Sequence, residues 1–188
     1  RLLGPRTRIA SFTHISNVLG TVMPIREMTA LAKRCGATVV IDGAQGVPHR
    51  RVDVRAIGCD FYVFSGHKLF APTGIGAVYG RMDRWERLPP WQGGGNMVCK
   101  VTFENTTFAT PPKRFEAGTP AVAPAVGLGA AIDYLNGISL EAIERHENRL
   151  VDHALEGLRS VNGLRLIGMP KDRGGAISIV MDGIPDME

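Results

Sequence analysis

Thr38-Val-Val-Ile-Asp-Gly-Ala-Gln-Gly46 and Phe61-Tyr-Val-Phe-Ser-Gly-His-Lys68 share one pattern: a short β-branched or aromatic run that stops abruptly on glycine and a cluster of polar side chains. Neither run alternates apolar with polar residues, so each predicts a strand buried on both faces rather than one with a wet side. Upstream, Arg8 to Thr13 is a third such run, and it leaves into the polar loop His14-Ile-Ser-Asn-Val-Leu-Gly20. Between the first two strands Pro24 suits a first helical position, and Ile25, Met28, Leu31 and Ala32 fall on one helical face until Gly36 stops it. Ile75 to Tyr79 follows Pro72-Thr-Gly74 as a fourth strand. Strands separated by helical segments predict an α/β sheet covered by helices.

The middle of the chain changes character. Pro89-Pro-Trp-Gln-Gly-Gly-Gly95 and the stretch from Phe108 to Pro120 hold closely spaced Gly and Pro, which favours shaped loops. Trp91 reads as an anchor for its loop, with a contact across a subunit interface as the alternative. From Ala121 a helical pattern returns through Val126, Leu128, Ile132 and Leu135, broken at Gly137. Ser139 can cap a further helix with an apolar stripe of Ile143, Leu150, Ala154, Leu155 and Leu158. Leu164 to Ile167 and Ala176 to Met181 then predict strands of a different sheet. The expected division is residues 1–137 as one domain and 138–188 as the start of a second, with a further helix beginning at Asp186-Met-Glu188.

With 188 residues, 44% hydrophobic and 21% charged, the chain has the composition of a soluble globular protein. Its net charge of +4 is scattered, with Arg50-Arg51 the densest central pair, and aromatics do not interleave with it. Nucleic acid and membrane surfaces are therefore not the expected partners. Three cysteines, Cys35, Cys59 and Cys99, form no CxxC pair, which argues against a disulfide framework or a zinc knuckle and for a reducing, cytoplasmic setting. No apolar run reaches bilayer-spanning length, and the opening residues lack the apolar core of a signal peptide.

In open α/β sheets, ligands bind outside the carboxyl ends of the strands. Three strand ends carry polar residues: His14 and Asn17, Asp42 and Gln45, and Ser65, His67 and Lys68. A carboxylate, an amide, a hydroxyl, an imidazole and a primary amine are the groups that hold pyridoxal 5'-phosphate. The lysine forms a Schiff base with the aldehyde, an aspartate pairs with the ring nitrogen, and hydroxyl and imidazole hold the phosphate. Each residue alone has a plainer reading. Lys68 can be a solvated loop residue, Asp42-Gly43 a turn, Ser65 a helix cap and His67 a surface imidazole. The ordered conjunction of all of them points to chemistry.

The segments HISNVLGTVMPI, VVIDGAQGVPHRRVDV, CDFYVFSGHKLFAPTGIGAVYG, PPWQGGGNM and RFEAGTP resemble the class V aminotransferase group of fold-type I pyridoxal phosphate enzymes. Within it they are most similar to cysteine desulfurases of the sulfur-mobilisation type, which include selenocysteine lyase activity. The resemblance runs from about Arg6 onward. It implies a partial three-layer α/β/α large domain followed by the start of a small α+β domain. It makes Lys68 the Schiff-base lysine, Asp42 the ring-nitrogen partner and Gln45 the donor to the ring's phenolic oxygen. Asn17 would lie near that oxygen and the substrate carboxylate, while Ser65 and His67 would bind phosphate. Thr119 would reach the phosphate of the partner subunit in a homodimer. The implied substrate is L-cysteine or L-selenocysteine, converted to alanine and an enzyme persulfide that a sulfur-acceptor protein unloads, with iron-sulfur cluster assembly as the suggested process.

The resemblance further implies that the attacking cysteine, its neighbouring arginines, a phosphate-binding turn and the ring that stacks on the cofactor lie outside these 188 residues. On that expectation the chain is a central fragment, not competent alone. Cys59 and Cys35 read as packing residues; Cys99 alone could approach the crevice, and none matches the family's cysteine. Other members of the group (an aminotransferase, an epimerase or a kynureninase-like hydrolase) are the enzymatic alternatives, and a non-catalytic dimerising scaffold is the third. Gly74-Ile-Gly76 enters a strand rather than opening a helix, so it is a poor dinucleotide loop. The five histidines show no short metal-ligand spacing, so no metal is expected.

Overall fold

The computed structural model describes residues 2–185. Asp186 to Glu188, where the sequence suggests a further helix, lie outside the described residues. The main sheet has the order β1–β2–β3–β4, with β1 Ile9–Thr13, β2 Thr38–Asp42, β3 Phe61–Ser65 and β4 Gly76–Gly80. The first three are parallel, and β4 returns antiparallel to β3.

Helix α1, Ile25–Arg34, connects β1 to β2 and buries Ile25, Thr29 and Ala32. Pro24 precedes it as the cap residue instead of occupying the first helical position; its ψ of 64° is not helical. The core joins Ile25 and Ala32 of this helix to Ala10, Val39, Ile41 and Tyr62 of the sheet. Full burial of residues such as Val39 and Ile41 contributes about 1.5–3 kcal/mol each. Helix α2, Val54–Ile57, is a single turn whose Asp53 carboxylate accepts the Arg55 and Ala56 N–H groups, which holds that carboxyl below its usual range.

Helix α1 covers one face of the sheet; on the other, Ile9 and Val78 are 68% and 52% exposed among the described residues. Part of that outer face is covered by α3, Met82–Trp85. Trp85 lies edge-on to Phe61 and against Phe115, and a Cβ on Gly80 would collide with its indole.

A hairpin that sequence reasoning missed, β5 Val98–Val101 with β6 Thr106–Phe108, fills the region between the two Gly/Pro-rich loops. Trp91 is 89% exposed and anchors nothing within this chain, which corrects that expectation. Helix α4, Val122–Ile138, continues through Gly137; the break falls at Ser139, whose φ of +79° makes the corner. Ser139 then caps α5, Leu140–Arg159, accepting the Ala142 N–H. The apolar stripe of α5 is half-buried except at Leu150, which is exposed. β7 Leu164–Ile167 and β8 Ser178–Met181 form a separate antiparallel pair, the latter two residues shorter at its start than the sequence suggests. Among the described residues no helix is long and apolar enough to cross a membrane.

Charge holds α5 to the sheet's edge. His49, Arg50 and Arg51 meet Glu147, Glu144 and Glu141 at 2.9, 3.4 and 3.4 Å, a row of carboxylates spaced three apart on one helical face. Arg50 also donates both terminal nitrogens to Asp172, at 2.8 and 2.6 Å.

One buried charge ties three elements together. Asp60, fully buried, accepts the Val39 N–H at 2.8 Å and pairs with Lys33 and Arg84 at 3.3 and 3.0 Å. Burial works against its charged form, but the Val39, Arg84 and Lys33 donors outweigh it and hold the carboxyl below its usual range. A depressed carboxyl stabilises the fold above its unfolded value, near pH 4, and that contribution is lost as pH falls through the folded value. Asp60→Ala should cost about 3–5 kcal/mol in urea unfolding at neutral pH. The acid decline of wild-type stability should be shallower in Asp60→Asn.

Candidate active site

The parallel register sets the site. Thr13 pairs with Asp42, and Asp42 with Val63, so β1, β2 and β3 finish close together at one edge. Asp42 ends β2 with an exposed carboxylate, whose Oδ1 accepts the Ala44 N–H at 2.9 Å. The Gly43 N–H donates to the Val63 carbonyl, and Gly46 and Val47 close back on the Gly43 carbonyl at 2.8 and 3.1 Å. This turn presents Gln45 half-buried beside Asp42.

At the next strand end, Gly66–Leu69 forms one 3₁₀ turn that carries Lys68. Gly66 is required there, since a Cβ would lie 2.7 Å from Ile75 Cγ2. Ser65 Oγ and His67 Nδ1 are hydrogen-bonded at 2.7 Å. Lys68 is half-buried and, among the described residues, pairs with no carboxylate.

Asn17 is exposed in the loop leaving β1. Within that loop Ser16 Oγ accepts the Leu19 N–H, and the C-terminal segment grips it from outside. Arg173, nearly buried, donates to the carbonyls of Leu19, Ala176 and Gly168 at 3.0, 3.0 and 2.7 Å. Ser178 Oγ donates to the Val18 carbonyl, the Gly174 N–H to Gly20 and the Val22 N–H to Asp172. Gly20, at φ +68°, admits this approach because a Cβ would strike the Ala176 carbonyl.

Thr119 stands apart. It is exposed and lines a 720 Å³ cavity with Ile75, Asn96, Lys113 and Glu116. Asn96 donates to the Gly118 carbonyl and the Gly118 N–H to Gly95, which shapes the loop. The structure thus brings Asp42, Gln45, Ser65, His67 and Lys68 to adjacent strand ends and sets Asn17 on the neighbouring loop, while no hydrogen bond among the described residues joins Thr119 to them.

His14 does not belong with the exposed polar set. Its ring turns inward and is hydrogen-bonded through Nδ1 to the Tyr62 hydroxyl at 2.8 Å. Burial, then the nearby Arg50, pushes the His14 imidazole below its usual range; burial pushes the Tyr62 phenol up, with Cys59 and Asp42 adding to it. Sequence reasoning missed this pair, whose members lie 48 residues apart. Cys59 is buried, and burial raises its thiol. Cys99 is exposed on β5. No group of three metal-ligating side chains occurs among the described residues.

The three parallel strands thus carry a lysine turn, an aspartate turn and a Ser–His pair at their carboxyl edge. The chain belongs to the class V aminotransferase family, whose model matches residues 1–187. It is 53% identical over 178 residues to a cysteine desulfurase of Serratia proteamaculans, covering 94% of this chain and 44% of that protein. The crystal structure of the cysteine desulfurase CsdA from Escherichia coli superposes with a TM-score of 0.92 at 36% identity, over 98% of this chain and 46% of the other. Two structures of the cystine C–S lyase C-DES match at a TM-score of 0.83 and 26% and 25% identity, over 96% of this chain and 49% of theirs. One of these holds its product cysteine persulfide, the other glycine linked covalently to its PLP cofactor. These matches identify the α/β architecture as that of the fold-type I enzymes. The chain spans less than half the length of these relatives.

Two glycines test the packing logic of the site. Gly43→Ala would drive a methyl into the Tyr62 ring and should cost about 1–3 kcal/mol. Gly129→Ala, in the exposed interior of α4 with open space around it, should stabilise by about 0.5–1 kcal/mol. Thermal unfolding of the two variants against wild type checks both signs.

Proposed function

We propose that this chain is the cofactor-binding core of a pyridoxal 5'-phosphate-dependent cysteine desulfurase acting on L-cysteine or L-selenocysteine. The observation that carries the reading is the Lys68 amine at the end of β3, without a carboxylate partner among the described residues and one strand over from the outward Asp42 carboxylate. The donor set fits the cofactor: among the described residues, an amine without an ion-pair partner, a carboxylate with one oxygen uncommitted, and a Ser–His pair already joined at 2.7 Å.

In this reading Lys68 Nζ attaches the cofactor and afterwards carries protons at the substrate's α-carbon. Asp42 holds the proton on the ring nitrogen, and Gln45 donates to the ring's phenolic oxygen. Asn17 lies toward that oxygen and the substrate carboxylate. Ser65 and His67 donate to the phosphate, and Thr119 reaches the phosphate in the partner subunit of a homodimer. When bound, pyridoxal phosphate supplies an electron sink for bonds at the amino-bearing carbon. Residues 1–137 form the cofactor-binding unit and 138–188 the opening of a second domain. The setting is cytoplasmic, and the sulfur passes to an acceptor protein for iron-sulfur cluster assembly. Cys59 is not suited to attack sulfur, since a thiolate nucleophile needs an exposed, electropositive setting and this thiol is buried.

Pyridoxal phosphate added to the protein should generate a visible absorbance band that is absent in Lys68→Ala and weakened at least tenfold in affinity in Asp42→Ala. A band of full strength in Lys68→Ala would sink the lysine assignment. With L-cysteine as substrate, a loaded protein that also carries the attacking cysteine should form alanine, and these 188 residues alone should not; pyruvate in place of alanine would assign a C–S lyase, the activity carried by C-DES.

A further inference from the structure

We propose that the buried His14–Tyr62 pair is a positioning unit for Asp42: by fixing the turn from Asp42 to Gly46, it sets how firmly the cofactor's ring nitrogen is held. The inference rests on Asp42 being the ring-nitrogen partner.

The Asp42 carboxylate is tied to the turn itself, its Oδ1 accepting the Ala44 N–H at 2.9 Å. Asp42 is the last residue of its strand and its side chain is exposed, so its direction depends on the backbone beneath it. That backbone is held from both sides. The His14 N–H donates to the Asp42 carbonyl at 2.8 Å, and the Gly43 N–H to Val63 at 2.8 Å. His14 is itself braced, since its carbonyl accepts the Met23 N–H at 2.9 Å.

The two side chains then form the floor of the turn. The rings meet edge to face at 85°, with Nδ1 and the hydroxyl 2.8 Å apart. Gly43 and Gly46 both lie directly on this floor: a Cβ at Gly43 would overlap the Tyr62 ring, and one at Gly46 would meet the Tyr62 hydroxyl at 2.6 Å and the His14 imidazole. The turn can settle no lower than the pair allows. Tyr62 is 2% exposed and His14 9%, so water does not replace the bond readily if it is lost. Asp42 is near enough that its charge contributes to keeping the Tyr62 phenol protonated, while burial keeps His14 neutral, so the floor carries no charge to compete with the cofactor. Groups that hold a binding residue from behind in this way commonly alter affinity 10–100-fold when removed.

A purely structural pair would alter stability alone, so the test reads the cofactor's ring nitrogen. The protein would be loaded with pyridoxal phosphate labelled with ¹⁵N in the ring, and its resonance and dissociation constant recorded for wild type, Tyr62→Phe, His14→Leu, His14→Gln and Asp42→Asn. Tyr62→Phe keeps the ring against Gly43 and deletes one oxygen. It should weaken cofactor binding about tenfold and move the resonance part of the way toward that of Asp42→Asn. His14→Leu, which removes the hydrogen-bond partner from the other side, should do the same and serves if Tyr62→Phe does not fold. His14→Gln, which retains an acceptor for the hydroxyl, should recover most of the affinity. Wild-type affinity and resonance in Tyr62→Phe and His14→Leu, with Asp42→Asn shifted, would overturn this proposal and leave the cofactor reading standing. An unshifted resonance in Asp42→Asn would overturn the Asp42 assignment and this proposal with it.

Discussion

Three parallel strands that stop almost level dictate the layout of this molecule. A parallel ladder forces every strand to point the same way, so the polar residues after Thr13, Asp42 and Ser65 gather along one edge. The antiparallel β4 seals the neighbouring side and, through Ile75 against Gly66, shapes the turn on which Lys68 rides. The ladder in turn depends on the buried carboxylate of Asp60, which satisfies the Val39 N–H at the second residue of β2 and draws in a lysine and an arginine from two other elements. Core and site are therefore a single unit: the face of the sheet bearing Val39, Ile41 and Tyr62 packs on α1, and the last of these continues as the floor of the Asp42 turn.

Much of this was legible in the sequence. The runs TVVI and FYVF are short, β-branched or aromatic and bounded by glycine, so strand type and approximate limits came directly from them. Asp42, Gln45, Ser65, His67 and Lys68 were legible because a strand end fixes where the next few residues must go. The features that resisted were of two kinds. The β5–β6 hairpin is short, polar on one side and interrupted by an irregularity between Val98 and Lys100, too weak a pattern to show against its Gly/Pro-rich flanks. The other kind is distance along the chain: nothing local to Arg50 indicates Asp172, 122 residues away, and nothing local to His14 indicates Tyr62, 48 residues away.

One expectation failed for an identifiable reason. Gly137 looked like a helix end because glycine weakens helices, but Leu135 of α4 is buried and its packing carries the helix on to Ile138. Ser139, with its left-handed backbone and its capping oxygen, turns the corner instead.

The grip of Arg173 on the Asn17 loop also has a schedule. Its guanidinium reaches Leu19 across 154 residues of sequence, and Ser178 reaches Val18 across 160. A ribosome adding about 5–20 residues per second needs on the order of ten to thirty seconds to cover that interval. During synthesis the sheet can assemble early, since the ladder from β1 to β4 closes within the first half of the chain. The Asn17 loop cannot acquire these anchors until Arg173 and Ser178 have emerged, so its ordering trails that of the sheet it leaves.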